Sequence, residues 1–218
     1  MKKILSYIWP ITAKTIDSDT NGKLEITYYN GKKMLNTKDA NYSYGSLQKI
    51  LEYALSKIEF DNVKHVLILG LGGGSVISSL RKKFDFNGGI QAVDIDEKII
   101  AIAKNDFDIC TSHNLMISKY DAYKFVKKND KKHDLIIIDL FINNEVPDQF
   151  YSVIFCENIS KLVNENGYFI FNLGLKGKMT EKTEQVIAYF EKSIYFETSL
   201  FKNIEGTNSV LIGRKSNS

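Results

Sequence analysis

The sequence predicts an α/β fold: a seven-stranded, mostly parallel sheet with helices on both faces, closed by an antiparallel strand pair and preceded by a small β-hairpin subdomain. Three observations carry this. Short apolar runs alternate with segments whose apolar residues recur at helical spacing, the pattern of a parallel sheet with covered faces. The first run, Val66–Leu69, opens into Gly70, Gly72, Gly73 and Gly74 and passes at once into the helical pattern Val76, Ile77, Leu80. The last two runs, Ser193–Phe201 and Ser209–Gly213, are joined by Lys202–Asn208, too short for a crossover, so they must be antiparallel.

Residues 4–37 read as β. Ile4–Trp9 and Ile11–Ile16 flank Pro10, and Asn21-Gly22 and Asn30-Gly31 separate the following strands; Asn-Gly suits hairpin turns because both residues tolerate positive φ. This subdomain, residues 1–40, has too little core to stand alone and must pack on the main domain or on another copy. The main domain is expected over 41–214, with 215–218 as a disordered tail. Within it, 38–46 is a polar, aromatic link, and Leu47, Ile50, Leu51, Ala54, Leu55 and Ile58 mark a helix. After the glycines come a helix over 75–84, a strand over 90–94, and a helix Asp96–Asp106 with Ile99, Ile100 and Ala103 inward. A short strand Leu115–Ser118 and a helix Ala122–Lys128 follow. Next come a strand Asp134–Asp139, a loop over 140–147, a helix Asp148–Val163, a strand Gly167–Asn172 and a helix Thr180–Lys192.

Composition narrows the function. The 218 residues suit one domain with an appendage, and 44% hydrophobic residues supply a core. Twenty-nine basic and 26 acidic residues give a mild net charge of +3, and the pairs Lys82-Lys83, Lys127-Lys128 and Lys131-Lys132 fall at helix ends or in a loop, so no nucleic-acid partner is expected. Cys110 and Cys156 lack metal-ligand spacing, and no metal is expected; the plain setting is reduced and cytoplasmic. Met1–Ile11 mimics a signal peptide, but its apolar run is short, holds a proline and lacks a small-residue cleavage site. Nothing approaches a membrane span.

In such sheets the carboxyl ends of the strands hold the chemistry. Those ends carry Gly70–Ser75, Asp94, Tyr120-Asp121, Asp139 and Asn172. Glycines let a ligand approach bare amides, and the following helix offers unpaired N–H groups. Asp94 lies 24 residues past Gly70, near the spacing at which an acid accepts from ribose hydroxyls. Asp121 reads equally as an acceptor for an exocyclic adenine amine and as a helix N-cap. Asp139 is the catalytic candidate, a carboxylate at the mouth of a dry pocket. His65, His113 and His133 precede strands, at the opposite edge.

Together VLILGLGGGS, AVDIDEKIIAIAK, the acid of YDAYKFV and DLIIIDLF resemble the spermidine synthase family, within the Rossmann-like class I S-adenosylmethionine-dependent methyltransferase fold. The similarity runs over residues 22–173. It implies that Gly70, Gly72, Gly73, Gly74 and Ser75 lie along the methionine part of the cofactor. Asp94 and Ile95 would then meet the ribose, Asp121 and Ala122 the adenine, and Asp139 the transferred group. Tyr42 and Tyr44 fall where the family places a Tyr-His-Glu segment, and with Leu140, Phe141 and Ile142 they are the implied acceptor contacts. The chain departs from the family pattern: Ser75 stands for an aspartate, Ile142 for a diamine-binding acid, and Tyr44-Gly45-Ser46 for Tyr-His-Glu.

The first functional reading is therefore a spermidine synthase-like transferase using S-adenosylmethionine, moving a methyl group to a small, more apolar acceptor. The alternative is a polyamine aminopropyltransferase using decarboxylated S-adenosylmethionine, with Glu145 or Asp148 replacing the missing acid. A third reading is a non-catalytic nucleoside-binding or scaffold protein. An NAD-dependent dehydrogenase fits less well, since Ser75 stands where the third glycine of that fingerprint belongs. Homodimerisation through the hairpins is the expected assembly.

Overall fold

The computed structural model describes residues 2–37, 41–142, 145–174 and 179–217, with Asn41 and Tyr42 described by backbone alone. A seven-stranded sheet forms the body, built from β5 (His65–Leu69), β6 (Gly89–Asp94), β7 (Leu115–Lys119), β8 (His133–Ile138), β9 (Val163–Asn172), β10 (Phe196–Ile204) and β11 (Asn208–Lys215). Their order is β10-β11-β9-β8-β5-β6-β7. The five strands β5 to β9 are mutually parallel, and β11 runs antiparallel between β9 and β10. Burial explains that insertion: Asn208–Gly213 are buried throughout, as an interior strand requires, while β10 buries only Phe196 fully and takes the edge.

Successive residues of each strand serve opposite faces. Val66 and Ile68 pack beneath α2 (Ser46–Leu55) and α3 (Ser75–Lys82) through Leu51, Leu55, Ile77 and Leu80. Leu67 and Leu69 face α6 (Val153–Leu162) and α7 (Glu181–Glu191) through Phe155, Ile159 and Phe190, with Val126 of α5 (Ala122–Lys128). The N-terminal sheet, β1 (Ile11–Ser18), β2 (Gly22–Tyr29), β3 (Lys32–Thr37) and β4 (Asn41–Ser43), is antiparallel in that order. It packs Leu24, Ile26 and Leu35 on Ile99 and Ile102 of α4 (Glu97–Phe107).

The structure departs from the sequence reading in five places. Ile4–Trp9 is not a strand: Lys2–Leu5 forms a helical turn, α1, and Ser6 folds back to accept from the Asn30 and Gly31 amides of the β2–β3 turn. Part of the aromatic link becomes β4, so the N-terminal unit runs through Ser43. Ile102, not Ile100, completes the buried face of α4, because this helix is covered by the hairpin sheet as well as by the main one. The helix read over Asp148–Val163 splits into a 3-10 turn, Asp148–Tyr151, and α6, which Ser152 caps by accepting from the Phe155 amide at 3.3 Å. Lys215 belongs to β11 rather than to a tail, and its Nζ donates to the Ser160 and Val163 carbonyls at 2.8 and 3.1 Å.

Candidate active site

The carboxyl ends of β8, β5 and β6 are tied together before any side chain enters. The Asp139 amide donates to the Leu69 carbonyl, and the Gly70 amide donates to the Val93 carbonyl, both at 2.9 Å. Gly70 has φ +94°, and a Cβ there would run into the Asp139 carbonyl. Gly74 caps α3 at φ +79°, with Ile109 occupying the space of any side chain. At Gly73 a Cβ would press on Ser43 and Tyr44. The sequence assigns these glycines to a ligand; on the Cβ side of all three the space is taken by the protein's own atoms, and Gly70 also lines the crevice.

Asp94 holds this loop in shape. Its Oδ2 accepts from the Leu71 and Gly72 amides at 2.9 and 3.3 Å, and its Oδ1 from the Asp96 amide at 2.9 Å. Burial pushes its carboxyl up to about 6, against the pull of those three N–H donors, which favour the anion. Asp96 in turn caps α4 by accepting from the Lys98 amide and, through its other oxygen, from Ser18 Oγ and Asn21 Nδ2 of the β1–β2 hairpin. That brings Asn21 to the rim of the crevice.

Asp139 lies at the end of β8. Its Oδ1 accepts from Asn172 Nδ2 at 2.8 Å, and Asn172 Oδ1 accepts from Asn208 Nδ2 at 2.8 Å, so the Asn172 amide is held at both ends. Burial pushes its carboxyl up to about 6, offset by the Asn172 bond. The crevice is lined by Gly70, Asp94, Ile95, Asp121, Ala122, Asp139, Leu140, Phe141 and Ile142, all singled out in the sequence. Asp121 also caps α5, accepting from the Lys124 amide at 3.1 Å, so its N-cap reading is seen directly while it also lines the crevice.

Other expected contacts lie elsewhere. Gly72, Gly73, Gly74 and Ser75 are outside the lining; Ser75 is buried, with its hydroxyl accepting from Ser43 Oγ at 3.0 Å. Tyr44 is also outside, because its ring stacks on Phe107 and its hydroxyl is bonded to Ser78 Oγ at 3.1 Å, in a different cavity between α3 and α4. The Tyr42 side chain falls outside the described residues. Conversely, the lining includes Asn21, Val93, Pro147, Gln149 and Phe150, which sequence reasoning gave no role in the site. Asn21 was legible only as a turn former, and Gln149 and Phe150 only as residues of a helix. Among the described lining residues there are three carboxylates and no lysine, arginine or histidine. Among the described residues no group of His, Cys, Asp or Glu is placed to hold a metal ion, and no helix is long and apolar enough to cross a membrane.

A glycine-rich first crossover, an acid ending the next strand and an antiparallel strand inserted near the sheet's edge define a class I methyltransferase-like α/β protein. The spermine/spermidine synthase domain matches residues 48–203. The chain belongs to the spermine/spermidine synthase family. It is 30% identical over 162 residues to polyamine aminopropyltransferase 2 of Aquifex aeolicus, covering 70% of this chain and 31% of that protein. A probable spermidine synthase from Corynebacterium glutamicum superposes with a TM-score of 0.78 at 16% identity, covering 94% of this chain and 80% of that one. Human methyltransferase-like protein 13, solved with SAH, superposes at 0.60 with 19% identity, over 79% of this chain and 82% of that one. The chain spans about a third of the length of the first three curated relatives it matches, from 29% to 37%. Family membership thus supports a transferase of the aminopropyl type better than the methyl-transfer reading, which only the shared fold supports.

Proposed function

We propose that the chain is a spermidine synthase-like transferase that moves an aminopropyl group from decarboxylated S-adenosylmethionine to a small amine. The observation that carries this is the charge of the crevice: three carboxylates, Asp94, Asp121 and Asp139, and no cation among the described lining residues. A sulfonium donor that also bears an ammonium and lacks a carboxylate matches that field, whereas the carboxylate of S-adenosylmethionine finds no basic partner among those described residues. Asp94 and Ile95 would hold the ribose side, Asp121 and Ala122 the base. When bound, the donor supplies an electrophilic carbon beside its sulfonium and departs as methylthioadenosine. Asp139 orients the acceptor nitrogen and takes the proton released as the new C–N bond forms. Leu140, Phe141 and Ile142 keep water from the reacting atoms.

A methyltransferase acting on a small acceptor is the second reading, favoured by that apolar wall. Parallel calorimetric titrations with the two donors and with NAD, followed by incubation with amines, decide between them. Methylthioadenosine release is the expected result. Tighter binding of S-adenosylmethionine with methyl transfer, or tightest binding of NAD, would overturn it. A cytoplasmic setting and a homodimer through the hairpins belong to the same proposal. Two free cysteines support the first, and Ile4, Ile8 and Trp9, 74%, 84% and 75% exposed, support the second. Sedimentation of a Trp9→Ser variant tests the dimer.

A further inference from the structure

We propose that the acceptor is a monoamine: one primary amine on an apolar body, held by a single oxygen of Asp139. This rests on the amine-transfer reading and names its substrate class. Asn208 Nδ2 donates to Asn172 Oδ1, which fixes that amide so that its Nδ2 faces Asp139 Oδ1. The Asp139 Oδ2 is thereby left for a ligand, and among the described lining residues on the β8 side of the crevice Asp139 is the one acid. Asp94 already accepts from the Leu71, Gly72 and Asp96 amides and ends β6, two strands from β8 and on the nucleoside side. Asp121 follows β7, which is three strands from β8 in the sheet, about 14 Å away at ordinary strand spacing and on the nucleoside side. Glu145 and Asp148 are outside the lining, and Asp148 is paired with Lys182 at 2.5 Å.

Beyond Asp139 the described lining is Leu140, Phe141, Ile142, Pro147 and Phe150, with the neutral amide of Gln149. An alkyl chain buries against those side chains favourably. A second ammonium in the same place would lose its hydration with no counter-charge to replace it. The wall therefore selects against diamines as well as for an apolar tail.

Binding is read apart from turnover so that the two claims fail separately. With methylthioadenosine present as an unreactive filler of the donor site, n-hexylamine and 1,6-diaminohexane are titrated by calorimetry. Hexylamine is expected to bind at least about tenfold more tightly. Equal or tighter binding of the diamine overturns the inference, and so does absence of hexylamine binding up to about 10 mM. Ile142→Asp places an acid in the wall and is expected to bring the diamine to parity; an unchanged preference overturns the inference. Asp139→Asn is expected to weaken hexylamine about tenfold or more, and an unaltered affinity overturns it too. If hexylamine binds as expected but releases no methylthioadenosine from the decarboxylated donor, the acceptor class stands and the aminopropyl reading falls.

Discussion

Asp139 shows what desolvating a half-buried acid costs before it does any chemistry. Its carboxyl titrates near 6 in the fold against 3.8 ordinarily, so between those values the folded protein holds a proton that the unfolded chain has released. Stability is therefore present below about 4 and lost as pH rises through 6. Asp139→Asn keeps the bond from Asn172 and removes the charge. It should stabilise the free protein at pH 8 by on the order of 2 kcal/mol, with no gain near pH 4, and abolish turnover. Thermal melts at the two pH values check the sign. At Gly74 the steric case is as direct: φ +79° with Ile109 Cγ1 at 2.5 Å from any Cβ predicts that Gly74→Ala loses about 2–4 kcal/mol in urea titration. Sequence alone marked both positions, Asp139 for catalysis and Gly74 for the cofactor. Nothing local in the chain says that Ile109, 35 residues on, fills the space.

Among the elements, α4 couples the hairpin sheet to the site. Its cap, Asp96, binds its own helix and the Ser18–Asn21 turn at once, while Ile99 and Ile102 face Leu24, Ile26 and Leu35. Asp96→Ala should cost about 2–4 kcal/mol, the sum of a lost cap and orphaned buried partners. Hydrogen exchange should rise in β1 and β2 and remain unchanged in β8. At the far edge of the sheet, His133 opens β8 with its ring buried and titrates near 4, through burial first and then the charges of Lys131 and His65. A base with a lowered value binds fewer protons when folded, so its contribution is lost as pH falls from 6.5 towards 4. His133→Phe should flatten that acid limb by about 2 kcal/mol. The sequence located the element but not its burial. It likewise misread Ile4–Trp9, where apolar alternation suited a strand, but the segment is held as a turn by bonds to Asn30 and Gly31.

Across the whole molecule, charge is separated between surface and crevice. A chain of net charge +3 presents a crevice whose charged lining residues, among those described, are all acids. Donor binding should therefore weaken severalfold between about 50 and 500 mM salt, more for decarboxylated S-adenosylmethionine than for the carboxylate-bearing form, as calorimetry can measure. An equal salt dependence for both donors would count against the charge argument. The sequence by itself determined the alternation of strands and helices, the glycine crossover, the acids at the strand ends and the antiparallel closure. Each is a matter of local period or loop length, written over a few neighbouring residues. Only the tertiary structure decided that β11 lies inside β10, that Asn208 and Asn172 orient Asp139, that Asn21 reaches the crevice and that Tyr44 does not. Those outcomes depend on which distant surfaces bury one another, and that choice is made by packing across the sheet, where spacing along the chain carries no signal.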